Sequence, residues 1–229
     1  MSDIAGNWQA VRDRVGRAAQ RAGRPSEAVT IIVVSKTQPP AALAAAVAAG
    51  ATDIGESYVQ EAAPKIAAVG RGVRWHLIGH LQRNKSARAV ELFDVIHTLD
   101  SVALGRALAR HGAARGRVVP ALIEVNLAGE ASKSGVRPGD VRDLLGALAT
   151  EPALMIEGLM AIPPPAPTAE ATRPFFRALR ALRDEVAVAA APNAPLRELS
   201  MGMTDDFEVA VEEGATMVRV GRAIFGNRP

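Results

Sequence analysis

The chain has 229 residues, 48% of them apolar, with a net charge of +3 and no cysteine. That length fits one large domain, and the missing cysteine excludes disulfides, thiolate metal sites and cysteine nucleophiles. The basic balance does not point to nucleic acid. Arginines are spread along the chain, one tyrosine and two tryptophans offer little base stacking, and no RNP-like, zinc-finger or helix-turn-helix pattern is present. No apolar run approaches the ~18 residues that span a bilayer. The N-terminus lacks a basic segment leading into an apolar one, so the expectation is a soluble cytoplasmic protein with no membrane partner.

Residues 2–23 carry Ile4, Trp8, Val11 and Val15 at helical spacing, and Gly23 and Pro25 end the pattern. A buried strand over 29–35 follows; it is stopped by Pro39 and Pro40 and delivers Lys36 at its downstream end. An alanine-rich helix over 41–49, a short strand over 52–55 and a helix over about 57–69 come next. They lead into a strand over 73–78, a basic helix over 82–91 and a strand over 95–99. Ser101 is placed to cap a helix running to about Arg110. Strands over 118–127, 154–160, 196–201 and 217–220 then alternate with helices over 140–150, 169–190 and 205–213, the last capped by Thr204. The Pro163–Pro167 stretch reads as a stiff loop, not a domain linker.

Strands alternating with helices in this way imply parallel pairing. The expected fold is α/β, a single-domain (β/α)8 TIM-type barrel over 1–229 with an extra N-terminal helix. No helix of useful length follows the last strand, so the N-terminal helix is expected to cover the gap between strands one and eight.

In such barrels chemistry sits at the C-terminal mouth of the strands, and phosphate commonly binds after strands seven and eight. The stretch Ser200-Met201-Gly202-Met203-Thr204-Asp205 reads as a glycine turn after strand seven, and Gly221-Arg222 follows strand eight. Both suit an oxyanion. Lysine at the mouth of an apolar strand is a candidate Schiff-base nucleophile, or else a side chain that snorkels to water. Strand parity puts Ile32, Val34 and Lys36 on one face, and Met217, Arg219 and Gly221 on one face of the neighbouring strand. Two cations brought together in a low-dielectric mouth favour the neutral amine. Arg219 has the alternative of pairing with Glu124 or Glu157. His76 and His80 share a face of strand three, with only His80 expected to touch a ligand, and no metal-binding spacing is present. Lys133 is expected to be a solvated loop residue.

The matching segments are Val33–Thr37, Gly55–Glu61, Trp75–Gln82, Ser132–Gly135, Gly158–Pro163, Leu199–Met203 and Val218–Gly226. Through them the chain resembles the YggS/PROSC family, the pyridoxal phosphate homeostasis proteins, across essentially its whole length. The resemblance implies a barrel similar to the N-terminal domain of alanine racemase. It also implies that Lys36 carries pyridoxal phosphate as an internal aldimine, that Ser200, Gly221 and Arg222 lie at the phosphate, and that Arg219 faces the pyridine nitrogen. Ser57, His80, Met160, Met201 and Gly202 complete the expected cofactor contacts. The family usually has asparagine in place of Ser57 and threonine in place of Arg222. The implied role is to hold and deliver pyridoxal phosphate, with PLP-dependent apoenzymes as recipients and the protein itself a non-catalytic monomer. An arginine at the ring nitrogen makes the ring a poor electron sink. Besides Tyr58, the chain has no obvious group to act as the second acid–base residue of a racemase. An amino-acid racemase and a class-I-aldolase-like barrel acting on sugar phosphates are the alternatives.

Overall fold

The computed structural model describes residues 3–130 and 133–226. Eight parallel strands close into a barrel in sequence order. They are β1 (Thr30–Val34), β2 (Asp53–Glu56), β3 (Arg74–Leu77), β4 (Val95–Leu99), β5 (Val119–Glu124), β6 (Leu154–Met160), β7 (Glu198–Met203) and β8 (Met217–Val220). The helices are α1 (Ile4–Arg21), α2 (Pro40–Ala48), α3 (Val59–Val69), α4 (Ser86–Leu92), α5 (Val102–Ala113), α6 (Val141–Leu148), α7 (Arg173–Ala187), α8 (Phe207–Glu212) and α9 (Arg222–Phe225). Ser2, at the expected start of the first helix, and Ser132, in the Ser132–Gly135 motif, lie outside the described residues. Among the described residues no helix is long and apolar enough to cross a membrane.

Strand alternation builds two layers. Val33, Ile54, Trp75, Leu77, Ile96 and Ile123 point outward into one apolar core shared with the helices. Val95, Leu122 and Met160 form a separate cluster inside the barrel. The β1–β2 contact is close because Gly55 has no side chain: a Cβ there would lie 2.8 Å from Ile32 Cγ2.

The first helix does cover the β8–β1 gap. Its N-cap Asp3 accepts from the Gly6 amide at 2.9 Å, and Trp8, Val11, Val15, Ala18 and Ala19 are buried along one face. Asn7 Nδ2 donates to the Ile224 carbonyl of α9 at 2.9 Å, and the Arg14 guanidinium lies 4.5 Å from the Phe207 ring centroid of α8. Ser101 caps α5 through the Leu104 amide, as expected.

Several boundaries differ from the sequence reading. The ladder carries β7 to Met203, so Ser200, Met201 and Gly202 are strand residues and not a turn after it. The pairing of β7 with β8 shifts register between Ser200 and Met203, and Gly202 takes φ +89° there, a conformation glycine adopts without a Cβ penalty. The helix after β7 begins at Phe207 with Asp206 as its N-cap, and Asp206 Oδ1 accepts from the Met203 amide at 2.6 Å, so Thr204 does not cap it. The long strand expected over 118–127 ends at Glu124, because the chain leaves the barrel to bridge Val125 with Val136. Residues 83–85 form a 3-10 turn ahead of α4, and the helix expected over 169–190 is regular only from Arg173 to Ala187.

Candidate functional site

Lys36 follows the end of β1 in a tight turn. The Gln38 amide donates to the Ser35 carbonyl at 2.9 Å, and Thr37 takes φ +64°. A β-branched residue in the left-handed region is strained, by about 1–3 kcal/mol, and keeps that shape only because its surroundings impose it.

A buried ion pair braces this turn from below. Lys65 of α3 donates to the Ser35 carbonyl at 2.8 Å and to Glu56 Oε2 at 2.5 Å. Ser35 Oγ donates to the same oxygen at 2.7 Å, and the Ser57 amide donates to Glu56 Oε1 at 2.8 Å. One carboxylate therefore ties the residue before Lys36 to Ser57.

Lys36 opens on a cavity of about 470 Å³ lined also by Ser57, Tyr58, Gly79, His80 and Ile162. Its Nζ lies 5.2 Å from the Tyr58 ring centroid. Gly79 is needed there because any Cβ would collide with the Ser57 carbonyl oxygen. His80 is exposed, with Nδ1 3.4 Å from Asp100 Oδ2. Across Ile162 lies a second cavity of about 270 Å³ lined by Glu124, Asn126, Lys133 and Ser134. Ser134 Oγ donates to Glu124 Oε1 at 3.0 Å, Glu124 Oε2 is buried without a partner, and burial raises the Glu124 carboxyl above its usual range. Lys133 pairs with Glu130 at 2.7 Å, as befits a loop lysine. A larger cavity, about 720 Å³, runs along α1 past Arg12, Arg17 and Glu27, and Lys36 does not line it.

Arg219 occupies the barrel interior, paired in register with Ile32 on β1. It is buried and bonds neither Glu124 nor Glu157. Its Nη1 donates to Ser200 Oγ at 2.6 Å and its Nη2 to the Ala161 carbonyl at 2.9 Å, while Glu157 lies 3.5 Å from Arg74. Burial lowers its pKa to about 10, with the Asp206 and Glu124 carboxylates acting the other way. Ser200 Oγ lies 3.0 Å from His97 Nδ1, His97 Nε2 lies 2.9 Å from His76 Nδ1, and His76 Nε2 lies 2.9 Å from Asp53 Oδ1. Thr52 Oγ1 donates to Asp53 Oδ2 at 2.7 Å.

The structure thus gathers Lys36, Ser57 and His80 around one cavity and joins Ser200 to Arg219 beneath the mouth. Met160 is fully buried in the interior cluster, whereas the Met201 side chain belongs to the outer core. Gly202 marks the register shift. Gly221 is the N-cap of α9, where a Cβ would sit 3.3 Å from Val34 Cβ, and Arg222 is exposed and paired with Asp205. Asp53, Glu56, Lys65 and His97 went unrecognised in the sequence. Their only signal is a polar residue in a short strand, or a Glu61–Lys65 spacing that reads as an exposed helix pair.

The family model described as "Alanine racemase, N-terminal domain" matches residues 6–229. The chain is 42% identical over 232 residues to the pyridoxal phosphate homeostasis protein of Escherichia coli (strain K12), with 100% of this chain and 98% of that protein covered. Among solved structures, one from Bifidobacterium adolescentis superposes with a TM-score of 0.92 at 34% identity, covering 98% of this chain and 97% of that one. PipY of Synechococcus elongatus PCC7942 with PLP bound superposes with a TM-score of 0.82 at 39% identity, covering 94% of this chain and 100% of the other. The barrel, its polar interior and these full-length matches agree: the chain belongs to the alanine racemase N-terminal domain family and, within it, to the pyridoxal phosphate homeostasis proteins of the YggS/PipY group.

Proposed function

We propose that this protein binds pyridoxal 5'-phosphate at the barrel mouth through Lys36 and contributes to its intracellular homeostasis and delivery. The observation that carries the reading is an amine nucleophile on a cavity at the C-terminal face of the barrel, with a donor-only arginine held in the interior of the adjacent strand. Pyridoxal phosphate supplies an aldehyde that condenses with a primary amine, a ring nitrogen that accepts a hydrogen bond, and a phosphate dianion. The residues present fit the first two parts: Lys36 on the cavity supplies the amine, and Arg219 in the interior is a pure donor.

In this reading Lys36 is presented by the braced Ser35–Gln38 turn, and Ser57, His80 and Met160 shape the site. Backbone from Ser200 to Gly202 and from Gly221 to Arg222 borders the phosphate. Arg222 releases Asp205 to reach the phosphate or stays with it. The protein acts as one domain over 1–229, as a cytoplasmic monomer, with PLP-dependent apoenzymes as recipients. Racemisation is not favoured, since a donor-only arginine at the ring nitrogen leaves the ring a poor electron sink, and Tyr58 shares the Lys36 side of the cavity, with Lys36 Nζ 5.2 Å from its ring centroid.

Borohydride reduction of the loaded protein followed by peptide mass spectrometry tests this. The modification is expected on Lys36, with the near-visible absorbance lost in Lys36→Ala. A protein that takes up no pyridoxal phosphate, or is modified only elsewhere, refutes the reading. Sustained amino-acid racemisation lost in Lys36→Ala would replace the carrier role with an enzymatic one.

A further inference from the structure

The contacts from Arg219 through Ser200, His97 and His76 to Asp53 form one unbroken file through the barrel, and its two ends decide the place of every proton in it. Arginine has only donors, and an ionised carboxylate has only acceptors. Burial opposes ionisation of Asp53, but the bonds from His76 and Thr52 outweigh it and hold the carboxyl below its usual range. Burial keeps both imidazoles neutral, His97 most strongly. His76 must then donate from Nε2 to Asp53, which leaves its Nδ1 bare. His97 must donate from Nε2 to that nitrogen, which leaves its own Nδ1 bare. The Ser200 hydroxyl proton therefore goes to His97, and the Ser200 oxygen is left as an acceptor for Arg219. With both rings neutral, no other placement of these protons satisfies all of the contacts.

We propose that His97 and His76 are positioning residues for Arg219, acting through Ser200. They orient the serine oxygen so that the guanidinium stays in one rotamer, and its uncommitted N–H groups remain available to the ligand's ring nitrogen. The identity of that ligand rests on the pyridoxal phosphate reading above, whereas the proton order does not. The Ser200 hydroxyl on this account serves the ring side of the site through Arg219, while only the backbone of that residue borders the phosphate.

Long-range ¹H–¹⁵N spectra of the cofactor-free protein read the tautomers directly. Two neutral Nε2–H imidazoles are expected at neutral pH, and an imidazolium or an Nδ1–H form at either residue would overturn the scheme. In the loaded protein, Ser200→Ala is expected to weaken pyridoxal phosphate by about tenfold, the scale of one hydrogen bond to a charged group, and to move the absorbance maximum of the bound cofactor. His97→Leu should reproduce both effects. His97→Asn, which keeps an acceptor beside the hydroxyl, should restore most of the affinity. Ser200→Ala deletes a single oxygen and carries the test if the leucine variant does not fold. Wild-type affinity in Ser200→Ala, or a loss of affinity with no spectral change, as for a serine at the phosphate, overturns the proposal while leaving Lys36 binding intact. A wild-type protein with no Lys36 adduct removes the ligand reading itself, and with it the cofactor half of this proposal.

Discussion

Replacing Lys65 with methionine isolates the brace beneath the nucleophile. Methionine keeps most of the aliphatic volume but removes the ammonium, leaving the Glu56 carboxylate fully buried with only the Ser35 hydroxyl and the Ser57 amide as donors. Removing one partner of a buried pair typically costs about 3–5 kcal/mol, because the remaining charge has no compensation. Taking the low end, since two donors remain, a cost of about 3 kcal/mol corresponds to a Tm lower by roughly 6–12 °C for a chain of this size. The double variant Glu56→Gln/Lys65→Met removes both charges and should be more stable than Lys65→Met alone. Urea unfolding followed by circular dichroism gives the free energies, and the rate of borohydride trapping at Lys36 reports whether the turn still presents its amine. A Lys65→Met protein within 1 kcal/mol of wild type, by the scale of a surface pair, or a double variant less stable than the single, would refute the bracing argument.

Gly79→Ala should destabilise the protein by about 1–3 kcal/mol, because its Cβ drives into the Ser57 carbonyl and forces β2 and β3 apart; chemical denaturation and the uptake of pyridoxal phosphate check both consequences. Thr37→Gly should stabilise it by about 0.5–1 kcal/mol, since relief of the left-handed strain exceeds the entropy cost of glycine, and an unchanged or lower denaturation midpoint would show that the turn is not strained. His76 and His97 have folded-state pKa values below the ordinary 6.5, so below about that pH the unfolded chain binds more protons and stability falls as pH drops from 7 toward 5. Glu124 and Asp206, raised by burial, act in the opposite direction, so the measurement is the difference from His97→Asn, whose pH slope should be shallower.

The amino-acid sequence alone determined the order and type of the elements. Apolar runs such as Ile31–Val34 are legible as strands, and glycine and proline punctuate them, because side-chain burial and backbone restriction act over a few neighbouring residues. Strand parity also placed Arg219 on one face with Met217 and Gly221, on the strand next to the one that carries Lys36. Tertiary structure alone decided what that interior contains. The contact of His97 with Ser200 joins residues from opposite parts of the chain, and it exists only because β4 and β7 point those side chains into one closed space. The same holds for Lys65, whose spacing from Glu61 suits a solvated helix face but whose burial follows from α3 lying over the β1–β2 ends. Local pattern reports which face a residue takes; the partner waiting on that face is set by barrel closure and register, which bring together groups that no short stretch of chain contains.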